Sequence, residues 1–118
     1  MEKAYHCILI GETSLLIQCG HILLEGGLCI DGIISPDPDI LAWGEQEKIP
    51  CHRGYREMAA FLRAVSYDYL LSIVNSAILP REILQTARIA AINYHDSLLP
   101  KYAGVYATTW ALMQGESS

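Results

Sequence analysis

Apolar positions along this chain change their period several times, and each change marks an element. Tyr5 to Ile10 is an apolar run that stops at Gly11. A run without strict alternation suits a strand covered on both faces, as in a parallel sheet. Thr13 or Ser14 can cap a helix in which Leu15, Leu16, Cys19, Ile22 and Leu23 recur at helical spacing, and Gly26-Gly27 ends it. Leu28 to Ser35 predicts a second strand. Ser35-Pro36-Asp37-Pro38-Asp39 predicts a turn, because neither proline can continue a ladder. Ile40 to Glu47 predicts a short helix and Lys48 to His52 a short third strand. Tyr55 to Ala64 is amphipathic, with Met58, Ala59, Leu62 and the following Val65 on one side. Tyr67 to Val74 predicts the fourth strand. Pro80, with its fixed φ, opens a helix continued by Glu82, Ile83 and Leu84. Arg88 to His95 predicts the fifth strand, and Tyr106 to Gln114 a last helix stopped by Gly115.

The order βαβ-(α)-βαβαβ-α predicts an α/β fold: an open, mainly parallel sheet with helices on both faces, Rossmann-like in topology. The first turn, Gly11-Glu12-Thr13-Ser14, lacks the G-x-G-x-x-G that lets a backbone approach a pyrophosphate, and Glu12 puts a negative charge where a phosphate would sit. A dinucleotide site is therefore not expected, and no P-loop pattern occurs.

Composition narrows the picture. The 118 residues allow at most one domain; 52% are apolar and 18% charged, which fits a folded core rather than a disordered chain. A net charge of −5 argues against a nucleic-acid or anionic-membrane surface. Arg53, Arg56 and Arg63 are read as a solvated helix face. No apolar run approaches the roughly 20 residues that span a bilayer, and none near the start is long enough for a signal-peptide core. A cytoplasmic protein is expected. Cys7, Cys19, Cys29 and Cys51 are widely spaced without a C-x-x-C, so reduced thiols are expected and neither a disulfide framework nor a metal site.

Chemistry concentrates at the end of the fifth strand. Asn93 and His95 lie two residues apart and face the same side of it. A carboxamide can donate to a developing oxyanion, and an imidazole can move a proton near neutral pH. Strand ends of open α/β sheets are where ligands bind. Asn93 and His95 are the catalytic candidates.

The stretch Asn93-Tyr94-His95-Asp96-Ser97-Leu98-Leu99-Pro100-Lys101-Tyr102-Ala103-Gly104, followed by Ala107-Thr108-Thr109-Trp110-Ala111-Leu112, resembles the folate-dependent formyltransferases. That family includes enzymes that formylate methionyl-tRNA, glycinamide ribonucleotide and amino sugars, and formylation domains at the front of peptide synthetases. Tyr69 to Pro80 is similar to the family's strand, pterin-site loop and following helix. The resemblance implies 10-formyltetrahydrofolate as formyl donor and no metal. It implies a pterin site at Asn75, Ser76, Ala77, Ile78 and Leu79, with Ile78, Leu79 and Leu84 as an apolar slot. Ser97, Leu98, Pro100 and Gly104 are substrate-binding candidates. Ser97 could equally cap a turn, Leu98 and Pro100 shape the loop wall, and Gly104 serves backbone geometry or close substrate approach. Asp96 is read as a surface variant.

The resemblance also implies a catalytic aspartate a few dozen residues after the histidine, and Asp96 is the last aspartate of this chain. Residues 1–118 are thus expected to be the N-terminal part of a single formyltransferase domain, truncated after the fifth strand and its helix and inactive alone. Two alternatives stay open: a formyltetrahydrofolate deformylase, with water as acceptor, and a non-catalytic scaffold of the same fold. The acidic charge speaks against a transfer-RNA acceptor. The opening Ile8 to Gly20 is similar to front domains of peptide-synthetase assembly proteins, which implies an aminoacyl group on a carrier domain as amine acceptor. An uncovered fifth strand is expected to pair two copies into a homodimer.

Overall fold

Two strands with apolar residues on both sides, β1 (His6–Gly11) and β4 (Tyr67–Ile73), lie side by side in the middle of the sheet. The remaining elements are α1 (Leu15–Glu25), β2 (Cys29–Ile34), α2 (Pro38–Gln46), β3 (Cys51–His52), α3 (Tyr55–Ala64), α4 (Arg81–Leu84) and β5 (Ala87–Tyr94). This is a computed structural model, which describes residues 4–75 and 79–94. The five strands run in the order β3-β2-β1-β4-β5, every pair parallel. The open parallel sheet with helices on both faces is therefore as the pattern predicts. The expected last helix over 106–114 lies outside the described residues.

The two faces of the sheet carry separate cores. On one, Leu16 of α1 and Ile40 and Trp43 of α2 pack on Cys7, Leu9, Ile30, Ile33 and Ile73. On the other, Met58 and Leu62 of α3 and Ile83 of α4 pack on Ile8, Ile10, Ile34, Leu70, Ala87 and Ala91. Burial on both faces explains why these strands lack a simple alternation. Arg53, Arg56 and Arg63 are exposed, as read from the sequence.

Two boundaries differ for local reasons, while α1 ends at Gly26-Gly27 as expected. Helix α2 begins at Pro38, inside the expected turn, because the Asp37 carboxylate accepts from the Ile40 backbone N–H at 3.1 Å and Pro38 fits the first helical turn. Strand β3 shrinks to two residues. The Ile49 N–H is drawn back to the Gly44 carbonyl at 2.8 Å, and Lys48 turns the chain with φ 61°. Gly27, at φ 88°, supplies the left-handed turn after α1 that a side chain would resist.

Two irregularities carry charge. The register skips Asp31 between Cys7–Ile30 and Ile8–Gly32, and the Asp31 carboxylate lies 2.8 Å from His6 Nδ1. It skips again where Arg88 and Ile89 oppose Asp68. The buried Asp68 carboxylate accepts from the Arg88 guanidinium at 3.0 Å and from the His6 N–H at 2.9 Å. Each extra residue bends its strand and redirects a polar side chain, as β-bulges do. All these groups sit at the amino ends of the strands, opposite the candidate site.

Candidate active site

The carboxyl ends of β1, β4 and β5 are tied together beyond their last regular pairs. The Glu12 N–H donates to the Val74 carbonyl at 3.3 Å, and the Val74 N–H donates to the Tyr94 carbonyl at 3.0 Å. Val74 achieves this at φ 48°. A β-branched residue rarely takes that conformation, at a cost of order 1–3 kcal/mol, and such strain concentrates where a site fixes its backbone. The strained turn leads into Asn75, which is buried.

One row of side chains crosses the sheet just below this rim. Ile10, Ser72 and Asn93 are in register on β1, β4 and β5. The row beneath it is Ile8, Leu70 and Ala91, all in the core that α3 and α4 cover. In-register residues of a parallel sheet share a face, so Ser72 and Asn93 bring two polar groups to the top of an apolar wall. Asn93 is only 5% exposed.

The candidates named from the sequence distribute as follows. Asn93 stands in the last buried row of β5, and Asn75 is buried at the end of β4. Leu79 is buried in the α3–α4 core, and Leu84 packs against the same core from α4. His95, Ser76, Ala77, Ile78, Ser97, Leu98, Pro100 and Gly104 lie outside the described residues. Among the described residues, no three histidine, cysteine or acidic side chains come together as metal ligands. No helix among them is long and apolar enough to cross a membrane. The four cysteines are free thiols.

Two cavities were not foreseen. One, about 280 Å³, lies between Cys19, Ile22 and Leu23 of α1 and the strand residues Leu71, Ser72, Ile73, Ile92 and Tyr94, most of which alternate with the row of Asn93. Ile22, expected among the core positions of its helix, is 68% exposed beside it. Burial pushes the Cys19 thiol up. The alternation of Ile92 and Tyr94 with Asn93 was the available signal, because it puts two bulky groups on the face away from α4. The other cavity, about 420 Å³, lies near β3 between Leu41, Glu45, Ile49, Cys51, Arg53 and Glu57. There burial first, and then the Glu45 charge, push the Cys51 thiol up.

An all-parallel α/β sheet with a strained turn at the end of β4, a buried carboxamide on the neighbouring strand and no glycine-rich first turn is an open α/β domain without a dinucleotide fingerprint. The family model described as Formyl transferase matches residues 41–118, and the chain belongs to that family. Methionyl-tRNA formyltransferase of Clostridioides difficile is 34% identical over 125 residues, covering 92% of this chain and 40% of its own length. The chain spans well under half the length of the curated relatives it matches. Among solved structures, a formyltetrahydrofolate deformylase from Pseudomonas syringae pv. tomato superposes with a TM-score of 0.70 at 18% identity, over 96% of this chain and 43% of that one. Phosphoribosylglycinamide formyltransferase from Anaplasma phagocytophilum gives 0.62 at 21% identity, over 97% and 60%. Those two likenesses establish the shared fold.

Proposed function

We propose that this chain forms the N-terminal part of a single formyltransferase domain that moves a formyl group from 10-formyltetrahydrofolate to an amine. The observation that carries the reading is Asn93: a buried carboxamide in the last inward row of β5, beside a strained strand end, in a chain of the formyl transferase family. The residues fit a flat, polar-edged ligand. The buried Ser72 hydroxyl has no partner among the described residues, Asn75 and Asn93 add two buried amide groups, and Leu79 and Leu84 belong to the apolar core on the Ala91 face of β5.

The folate supplies an activated formyl carbon. Asn93 Nδ2–H donates to the formyl oxygen as charge develops there, a role that contributes about 10²–10³ in rate per donor. His95, two residues on, would pass the proton that the attacking amine loses to the folate nitrogen, whose bond to the formyl carbon breaks as the new amide bond forms. Backbone groups from Asn75 through Ser76, Ala77 and Ile78 to Leu79 hold the pterin edge in this reading, with Ile78, Leu79 and Leu84 as its apolar slot. Ser97, Leu98, Pro100 and Gly104 are assigned to binding the acceptor in this reading. The net charge of −5 disfavours a nucleic-acid acceptor, and an aminoacyl group on a carrier domain is the amine we favour. No metal takes part in this scheme.

Titration with 5-formyltetrahydrofolate tests the ligand site, with amide resonances of Asn75, Leu79 and Asn93 expected to shift. Shifts confined to the cavity near Cys51 would place the ligand elsewhere. In the protein that contains this chain, Asn93→Ala is expected to lower kcat about 10²–10³-fold with a smaller change in KM. Near-normal turnover removes Asn93 from the chemistry. Release of formate at an undiminished rate without an amine assigns hydrolysis instead of transfer.

A further inference from the structure

Ser72 interrupts the apolar side of β4, and its Oγ is buried without a hydrogen-bond partner among the described residues. A buried hydroxyl left unpaired is destabilising, while an apolar residue of similar size carries no such penalty. Its row mate on β1 is Ile10, and the row beneath is Ile8, Leu70 and Ala91. The polar side chain in its own row is Asn93, in register on β5. Adjacent strands lie about 4.8 Å apart, so two short side chains on one face reach each other by torsion of the side chains alone.

We propose that Ser72 is a positioning residue for Asn93: its hydroxyl, unpaired in the structure, turns about χ1 to donate to Asn93 Oδ1 in the working site and so directs the Nδ2 donors toward the reacting carbonyl. A carboxamide has one accepting and one donating end, and only the donating end stabilises a developing oxyanion. Left alone, the Asn93 χ2 torsion populates both orientations. A hydroxyl below the amide that holds the oxygen fixes which end faces the substrate. The inference rests on the reading of Asn93 as the oxyanion donor, and adds to it how the amide is oriented.

The test pairs spectroscopy with kinetics. In the chain itself, Ser72→Ala is expected to move the Asn93 side-chain amide resonances while those of Asn75 stay. Ser72→Thr, which keeps the hydroxyl, is expected to leave them in place. In the protein that contains this chain, Ser72→Ala is expected to lower kcat about tenfold, the worth of one oriented hydrogen bond, with KM little changed. Ser72→Thr should recover most of that loss. Combined with Asn93→Ala, the Ser72→Ala change should cost nothing further. Unmoved Asn93 resonances, or an undiminished loss in the Asn93→Ala background, overturn the pairing. If Asn93→Ala alone leaves turnover normal, the reading of Asn93 fails, and with it the catalytic purpose of Ser72. Moved resonances in that case would still show that the two side chains are bonded, which separates the two failures.

Discussion

Gly11 and Ile73 meet in register across β1 and β4, and a Cβ placed on Gly11 would lie 2.4 Å from the Ile73 carbonyl oxygen and 2.9 Å from Leu16 Cδ1. The carboxyl ends of β1 and β4 thus approach to the limit that backbone contact allows. Gly11→Ala cannot be absorbed by a rotamer change, because the nearest atom is backbone. It should destabilise the fold by about 1–3 kcal/mol, as overpacking of a dense core does. A urea midpoint unchanged by the substitution would show that β1 and β4 separate freely at this end, and the close approach of Gly11 to Ile73 would be wrong.

The sheet was legible because its physics is local. Apolar runs in β1 and β4 announced two buried faces, and helical spacing of Met58 and Leu62 announced a third layer. Asn93 was legible as a strand-end polar group. Ser72 was not. In the sequence it is only a small polar residue in an apolar strand, and it gains meaning from register with Asn93, which the period of β4 alone cannot supply. The Asp31–His6 and Asp68–Arg88 pairs were hidden for a related reason. Both depend on bulges that shift pairing by one residue, and a pattern of period two does not reveal where a strand skips. The start of α2 is hidden for another reason: proline breaks a ladder or helix interior, but an Asp before Pro38 also makes a helix cap.

Alkaline pH should expose the cost of two buried acids. Burial, then the charges of Asp31 and Cys29, push the Cys7 thiol from its ordinary 9.0 up to about 12. Burial pushes the Tyr67 phenol from 10.0 up to about 12, partly offset by its hydrogen bond with Thr86. Above the ordinary values the unfolded chain releases these protons and the folded chain keeps them. The unfolded state then binds fewer protons, so stability falls as pH rises from 9.0 for Cys7, and from 10.0 for Tyr67, up to about 12. Each group contributes up to about 1.4 kcal/mol per pH unit in its window. Urea midpoints should decline across this range, and Tyr67→Phe should flatten the upper part. A midpoint independent of pH through the window contradicts the burial of both groups. Native-state alkylation should spare Cys7, whose thiolate is suppressed.

Strand β5 should pair with a second copy of itself. Among the described residues its strand partner is β4, which lies on one side. The bulge at Arg88 and Ile89 irregularises the start of the strand, and Ala90–Tyr94 runs on regularly against β4. That stretch holds no proline and no charged residue, while Ile89 and Tyr94 are 45% and 44% exposed. Natural edges are blunted by lysine, proline or bulges, and an edge without them recruits another strand. A two-fold axis beside β5 would join two sheets antiparallel and close the assembly at a dimer. Sedimentation equilibrium of the chain at micromolar concentration should therefore give twice the monomer mass. Ile89→Lys or Tyr94→Lys should shift it to monomer without loss of helical signal, since a charge on an exposed edge position opposes pairing but leaves the core intact. If the unmodified chain sediments as a monomer while the Ala90 to Tyr94 amides exchange as slowly as those of β1, the edge is covered within a single chain and the dimer is excluded.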